Sequence, residues 1–203
     1  IEDWLAVFEG TTGRDLSQFK RWYTEAGTPR LGVEEAWDGG TFTLTLTQTN
    51  RGGDKVIPVA VGLLSPEGEE VVPMRVLELT EARQDFRFEG LAARPVASVL
   101  RGFSAPVIVE RTLTAEDRAF LLAHDTDPFN RWEAGRALAK EVIARLATDG
   151  GEVPTLWLDA VAAVVADDTL DPAFRALALR LPGEEDMAQT LHQSGVTPDP
   201  DRI

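Results

Sequence analysis

The hydrophobic period of this chain changes twice, and nothing else in the sequence constrains the fold as much. Apolar side chains recur at spacings of three and four over residues 1–26, at every second position from about 31 to 111, and again at helical spacing over 114–192. A run of strands followed by a run of helices predicts separate domains rather than a βαβ weave. The 203 residues allow one large domain or two small ones, and 43% are hydrophobic, so a core can form.

The alternation is clearest around Asp38-Gly39-Gly40. Leu31, Val33, Glu35 and Trp37 lead into this turn; Phe42, Leu44 and Leu46 leave it, interleaved with Thr41, Thr43, Thr45 and Thr47. Period two with β-branched residues predicts a hairpin of a half-buried sheet. Further strands are predicted at 55–64, 70–72, 75–80, 84–89, 96–102 and 106–111. Ser65-Pro66-Glu67-Gly68 is a turn, because proline presets φ and glycine accepts positive φ. About seven short strands in this length predict an immunoglobulin-like β-sandwich. Its usual cysteine pair is absent, so the hydrophobic core must suffice. Pro58 and Pro106 mark edges, strand starts or bulges.

On the N-terminal side, Asp15 with Gln18 predicts a capped helix carrying Leu16, Phe19, Trp22 and Tyr23, stopped by Gly27 and Pro29. Trp4, Leu5 and Phe8 stand at helical spacing with no start signal before them. This predicts a cut inside a domain and an exposed apolar patch at these three residues. On the C-terminal side, Thr114, Asp127-Pro128 and Asp171-Pro172 are helix starts, and Pro154 opens another. Helices are predicted at 115–124, 128–147, 154–166, 172–181 and 184–192, an antiparallel α-helical array with short connections. Thr197-Pro198-Asp199-Pro200 reads as the start of one more helix, so an array cut there would expose an apolar face.

Charge and chemistry exclude several classes. The net charge of −14 repels nucleic-acid phosphates and anionic lipid surfaces, so neither nucleic acid nor membrane is expected as a partner. No segment has the roughly 20 apolar residues that span a bilayer, and residues 1–20 carry charges throughout, unlike a signal peptide. With no cysteine there is no disulfide or thiolate metal site, which fits a reducing compartment; the expected location is the cytoplasm.

Only His124 and His192 could serve as imidazole ligands, and they fall in different predicted helices, so surface or structural roles near helix C-termini are expected. Ser17, Ser65, Ser98, Ser104 and Ser194 all lie outside any Gly-x-Ser-x-Gly elbow. The pairs Glu34-Glu35, Glu69-Glu70, Asp167-Asp168 and Glu184-Glu185 read as solvated surface. Gly10-Thr11-Thr12-Gly13 lacks the lysine of a phosphate loop, and Asp125-x-Asp127 lacks the glycine turn of a calcium loop. No catalytic, cofactor-binding or metal residue is therefore assigned.

Four stretches then resemble bacterial aminopeptidase N, in its order: Phe19-Lys20-Arg21-Trp22-Tyr23-Thr24-Glu25-Ala26-Gly27-Thr28-Pro29, Thr43 to Gln48, Phe103-Ser104-Ala105-Pro106-Val107, and Asp127-Pro128-Phe129-Asn130-Arg131-Trp132-Glu133-Ala134. The resemblance implies a section of a zinc-dependent exopeptidase that removes N-terminal residues from peptides. It implies residues 1–29 as the C-terminal helical tail of a thermolysin-like catalytic domain, 30–112 as the sandwich, and 113–203 as the first part of the helical domain. The family's His-Glu-x-x-His and Gly-Ala-Met-Glu-Asn are absent, and the single Tyr23 belongs to the linking passage, so no catalytic position carries over. Zinc is expected in the longer parent and not in this section, which should be inactive alone. The expected partners are the missing catalytic domain and the rest of the helical domain. Arg21-Trp22 and Arg131-Trp132 are expected to pack the indole in a core and hold the arginine in a salt bridge at a domain junction. The alternative is a stand-alone sandwich and helical module that binds a protein partner.

Overall fold

The computed structural model describes all 203 residues and divides into two units: residues 1–66 with 71–112, and residues 67–70 with 113–203.

The first unit opens with α1 (Glu2–Thr12), which ends at Gly13 in the left-handed region, φ 68°. The capped helix expected from Asp15 does not form. Asp15 Oδ1 instead accepts from Ser17 N and Ser17 Oγ at 2.8 and 2.5 Å, closing a local turn. Gln18 is drawn away as well, donating to Asp54 O and Thr80 O at 3.2 and 2.5 Å. The backbone winds in single turns until the four-residue α2 (Arg21–Thr24).

Seven strands follow: β1 (Arg30–Asp38), β2 (Thr41–Thr49), β3 (Ile57–Leu64), β4 (Glu70–Leu79), β5 (Arg83–Phe88), β6 (Val96–Val99) and β7 (Ile108–Arg111). They form two sheets, ordered β5-β2-β1-β7 and β4-β3-β6. β1 and β2 pair from Arg30↔Thr49 to Asp38↔Thr41, and the two-residue turn has positive φ at both Gly39 and Gly40. Phe42, Leu44, Leu46, Leu31 and Val33 face β3 residues Ile57, Val59, Val61 and Leu63 in one core. The predicted alternation therefore stands.

Three strand expectations change. The segments 70–72 and 75–80 are one strand running through Pro73; β4 is an edge strand, where the missing N–H costs no ladder bond. The predicted strand 96–102 stops at Val99, because Leu100 turns left-handed at φ 62° and a 3-10 turn follows at Arg101–Phe103. That turn lies over the second face of β3: the Ala60 N–H donates to Ser104 Oγ at 2.9 Å, and the Arg101 guanidinium rests on Gly62. β3 is accordingly buried on both faces. Pro106 leads into β7 from outside it, and β7 runs parallel to β1.

The second unit holds α3 (Ala115–His124), α4 (Pro128–Asp149), α5 (Thr155–Ala166), α6 (Pro172–Ala178) and α7 (Glu184–Gln193). The start signals act as read. Thr114 and Asp117 close a reciprocal capping box, Asp127 accepts from Asn130 N at 2.9 Å, and Asp171 accepts from Ala173 N and Phe174 N. α6 is shorter than expected, ending at Ala178 rather than 181. Asp199 accepts from Asp201 N at 3.1 Å in a turn, and no helix follows it within the chain. The core of this unit gathers Ala119, Leu122, Leu138, Val142, Ala160, Val164 and Ala178. No helix is long and apolar enough to cross a membrane.

Candidate functional site

The side chains that carry chemistry in this chain form locks. In the first unit, Trp22 donates from Nε1 to Val56 O at 2.8 Å and packs half-buried against the sandwich core. Lys55 lies almost fully buried beside it. Its Nζ donates to Glu25 Oε2 at 2.8 Å and to Arg21 O at 3.1 Å, 5.9 Å from the Trp22 ring centroid. Arg21 donates to Asp54 O at 2.5 Å. The Lys55 hydrogen bond lowers the Glu25 pKa, opposed in part by burial. These contacts fasten residues 21–25 to the loop between β2 and β3.

A second lock crosses the two sheets. Arg111 of β7 donates Nε to Glu35 Oε1 at 2.9 Å, adds a second bond from Nη2 to the same oxygen, and reaches Ala97 O of β6 at 2.8 Å. Glu35 is thus an inward carboxylate tied to a buried guanidinium, not the solvated surface group expected from the Glu34-Glu35 pair.

In the second unit Arg131 is 5% exposed and spans three groups. Its Nε donates to Leu122 O at 2.7 Å, and its Nη2 donates to Ala123 O and Asp167 Oδ2 at 2.8 and 3.2 Å. The last carbonyls of α3 lack helical partners, and this guanidinium satisfies two of them. Trp132 does not join the core; it stands half-exposed, 6.1 Å from Phe129 and under Arg136. The expected salt bridge of the arginine forms, with Asp167, but it is the guanidinium that is buried while the indole is only partly so. Asp167, read as surface, is held below its usual pKa by Thr169 first and then by Arg131.

His192 is exposed at the end of α7. His124 ends α3 against Phe120, and partial burial with the Arg131 charge lowers its pKa. His124, Asp125, Arg131, Asp167 and Phe174 line a cavity of about 410 Å³. Ser104 accepts from Ala60 N, Ser194 donates to Leu191 O, and Ser17 binds Asp15. Gly10 to Gly13 close a helix, with Thr11 and Thr12 bonded back to Val7 O and Phe8 O. Asp125 Oδ1 accepts from Asp127 N, part of the turn into α4. Of the expected apolar patch, Trp4 and Phe8 are 49% and 43% exposed, but Leu5 is buried. The two aromatic rings line a groove of about 390 Å³ with Leu16, Phe19 and Pro58.

Sequence reasoning missed Lys55, Arg111 and Asp186. Asp186 sits in the first turn of α7, where Lys140 and Arg136 of α4 both bind it. Those bonds, Lys140 first, hold its pKa below the usual carboxylate value. A lowered folded pKa stabilises above the unfolded value and is lost as pH falls through the folded one. Acid unfolding of the helical unit should therefore begin at higher pH in Asp186→Asn than in the parent chain. Superimposable acid limbs, followed by circular dichroism, would refute this.

Two domain families match the chain: a domain of unknown function, DUF3458, of Ig-like fold over residues 27–112, and its C-terminal companion DUF3458_C, of ARM repeats, over residues 115–203. The class is thus an Ig-like domain followed by an ARM-type helical domain. The chain is 42% identical to Aminopeptidase N of Caulobacter vibrioides, with 93% of the chain and 23% of the relative covered. It is 32% identical to Aminopeptidase N of Escherichia coli, covering 93% of the chain and 24% of the relative. A crystal structure of Legionella pneumophila aminopeptidase A in complex with aspartic acid aligns with a TM-score of 0.85 at 28% identity, over 100% of this chain and 24% of that one.

The chain belongs to the aminopeptidase N family and matches its non-catalytic regions. It spans about a quarter of the length of these curated relatives. Zinc in a hydrolytic site needs three converging protein ligands. No group of three or more His, Cys, Asp or Glu that could hold a metal occurs in this chain, so its residues do not fit a zinc site.

Proposed function

We propose that this chain is the linking, non-catalytic section of a zinc-dependent aminopeptidase N, an enzyme that hydrolyses N-terminal residues from peptides. The 42% identity to an Aminopeptidase N across 93% of the chain carries this reading. Residues 1–29 are then the tail of the catalytic domain, 30–112 the sandwich and 113–203 the beginning of the helical domain. The lock of Trp22 and Lys55 suits a linker that must transmit a fixed geometry, since a catalytic site tolerates little misplacement of its supports. Zinc is held by residues elsewhere in the longer protein. The partners of this section are the catalytic domain and the remaining helices of the same polypeptide. Peptides are substrates of the whole enzyme, which works in the cytoplasm without nucleic acid or membrane.

The test is expression of the complete reading frame beside the 203-residue chain. The complete protein should carry His-Glu-x-x-His upstream and release chromophore from aminoacyl-p-nitroanilides, with loss on chelation and recovery on adding zinc. The chain by itself should release none. Zinc-dependent turnover by the 203 residues would overturn the assignment. A natural protein that starts near Ile1 would instead favour a stand-alone binding module.

A further inference from the structure

A cavity of about 220 Å³ opens between α4 and the corner that joins α6 to α7. On α4, Trp132 and Arg136 stand one turn apart on the same face, and the Arg136 guanidinium lies 5.4 Å from the indole centroid. The corner supplies Leu177, Arg180, Leu181 and Pro182. α6 stops at Ala178, the Arg180 N–H closes a turn onto Leu177 O at 3.1 Å, and Pro182 fixes its own φ before α7 begins. The charges around the cavity do not balance. Asp186 is the one carboxylate in the lining, and it is already bound by both Arg136 and Lys140. Arg180 adds a further cation, and it has no acceptor in the chain. Every other arginine of the helical unit has one: Arg118 bonds Glu141, Arg131 bonds Asp167, Arg136 bonds Asp186, Arg175 bonds Asp168, and Arg145 and Arg202 bond the carbonyls of Glu152 and Thr148. In a chain with 34 acidic and 20 basic residues, a guanidinium without a partner departs from the rule. The Trp132 indole N–H also finds no acceptor, whereas that of Trp22 donates to Val56 O. Glu184 and Glu185, in the same turn as Asp186, are exposed and stay out of the lining.

We propose that this cavity binds a small apolar carboxylate, a molecule or chain end about the size of one amino-acid residue. The carboxylate accepts from Arg180, from the N–H groups that Arg136 does not spend on Asp186, and from the Trp132 indole. Planar guanidinium forks match its two oxygens. Leu177, Leu181, Pro182 and the indole face enclose its apolar body. The volume lies below the roughly 300–1,000 Å³ of sites for drug-sized ligands, which limits that body to the size of a single side chain. A phosphate suits the cavity less. Its second charge is strongly hydrated, meets an apolar wall, and is repelled by Glu184 and Glu185 nearby.

Proton–nitrogen NMR of the isotope-labelled chain reads the site through the Trp132 indole N–H, whose signal is the one missing in Trp132→Phe. Isovalerate should shift that signal saturably, with a Kd below about 10 mM. Isovaleramide, neutral and of the same shape, should not shift it. Arg180→Gln, at an exposed position that bonds nothing in the chain, should weaken isovalerate binding at least about tenfold. Arg145→Gln, which removes a charge outside the cavity, should leave binding unchanged. Acetyl-Gly-Gly-Leu presents the same group as a peptide end, and the tighter binder of the two carboxylates identifies the source of the ligand. No saturable shift with either carboxylate, an equal shift with isovaleramide, or equal binding by the parent chain and Arg180→Gln would overturn the proposal. So would equal weakening by both arginine variants, or inorganic phosphate binding as tightly as isovalerate, since either reduces the cavity to an unselective cationic patch.

Discussion

Arg131→Ala is expected to cost the helical unit roughly 3–5 kcal/mol, a large part of the stability of a domain of this size. The substitution strands the carbonyls of Leu122 and Ala123 in a protein interior and removes the partner of Asp167. Each carbonyl loses a charge-assisted bond without gaining water, so the desolvation cost is no longer offset. Arg131→Lys keeps the charge but not the planar fork, and one ammonium cannot reach all three oxygens in the same geometry. It should therefore recover less than half of the loss. Urea unfolding followed by far-UV circular dichroism measures both. A loss below about 1 kcal/mol for Arg131→Ala would mean that solvent reaches these carbonyls, and the lock would be discounted.

The second large effect concerns the sandwich, whose two sheets no disulfide ties together. Phe42 is 0% exposed, packs 6.3 Å from the Phe88 ring and belongs to the core between the sheets. Phe42→Ala should cost roughly 3–5 kcal/mol in lost burial and residual cavity. Thr43, the next residue on the same strand, points to the other face and is only half-buried. Thr43→Ala should change stability by no more than about 0.5 kcal/mol. The contrast between adjacent positions tests the two-residue period itself. Comparable losses at both sites would mean that β2 is buried on both faces and that the alternation misled.

How much of this was legible depends on the range of the interaction that decides each element. The helix starts were readable because a cap closes within three residues: Thr114 with Asp117, Asp127 with Asn130, Asp171 with Phe174. Asp15 shows the limit of the same signal. Its side chain found Ser17 first, and Gln18, the expected reciprocal partner, was recruited by the carbonyls of Asp54 and Thr80. Pro73 lies between the two segments expected at 70–72 and 75–80, and proline lacks a donor. It did not divide β4, since only the position at a sheet edge decides whether that donor is missed. The Arg-Trp pairs are visible in the sequence, but their roles depend on neighbours outside the pairs: Val56 for Trp22, and the end of α3 with Asp167 for Arg131. Arg131 went inside because α3 ended with open carbonyls beside it, and Trp132 was left only partly buried. Lys55 gave no signal at all: a lysine in a polar loop is ordinarily solvated, and only Trp22 and Glu25, some thirty residues earlier, make its burial favourable.

The order of strands and helices, the hairpin at Gly39-Gly40 and the inward faces of β1, β2 and the helices follow from the amino-acid sequence alone. Each depends on side-chain periodicity or on hydrogen bonds between residues a few positions apart. The parallel pairing of β7 with β1, the double burial of β3 and the inward charges at Lys55, Glu35 and Arg131 were decided only in three dimensions. A buried charge is stable only where a specific distant partner arrives to meet it, and no local pattern announces that partner.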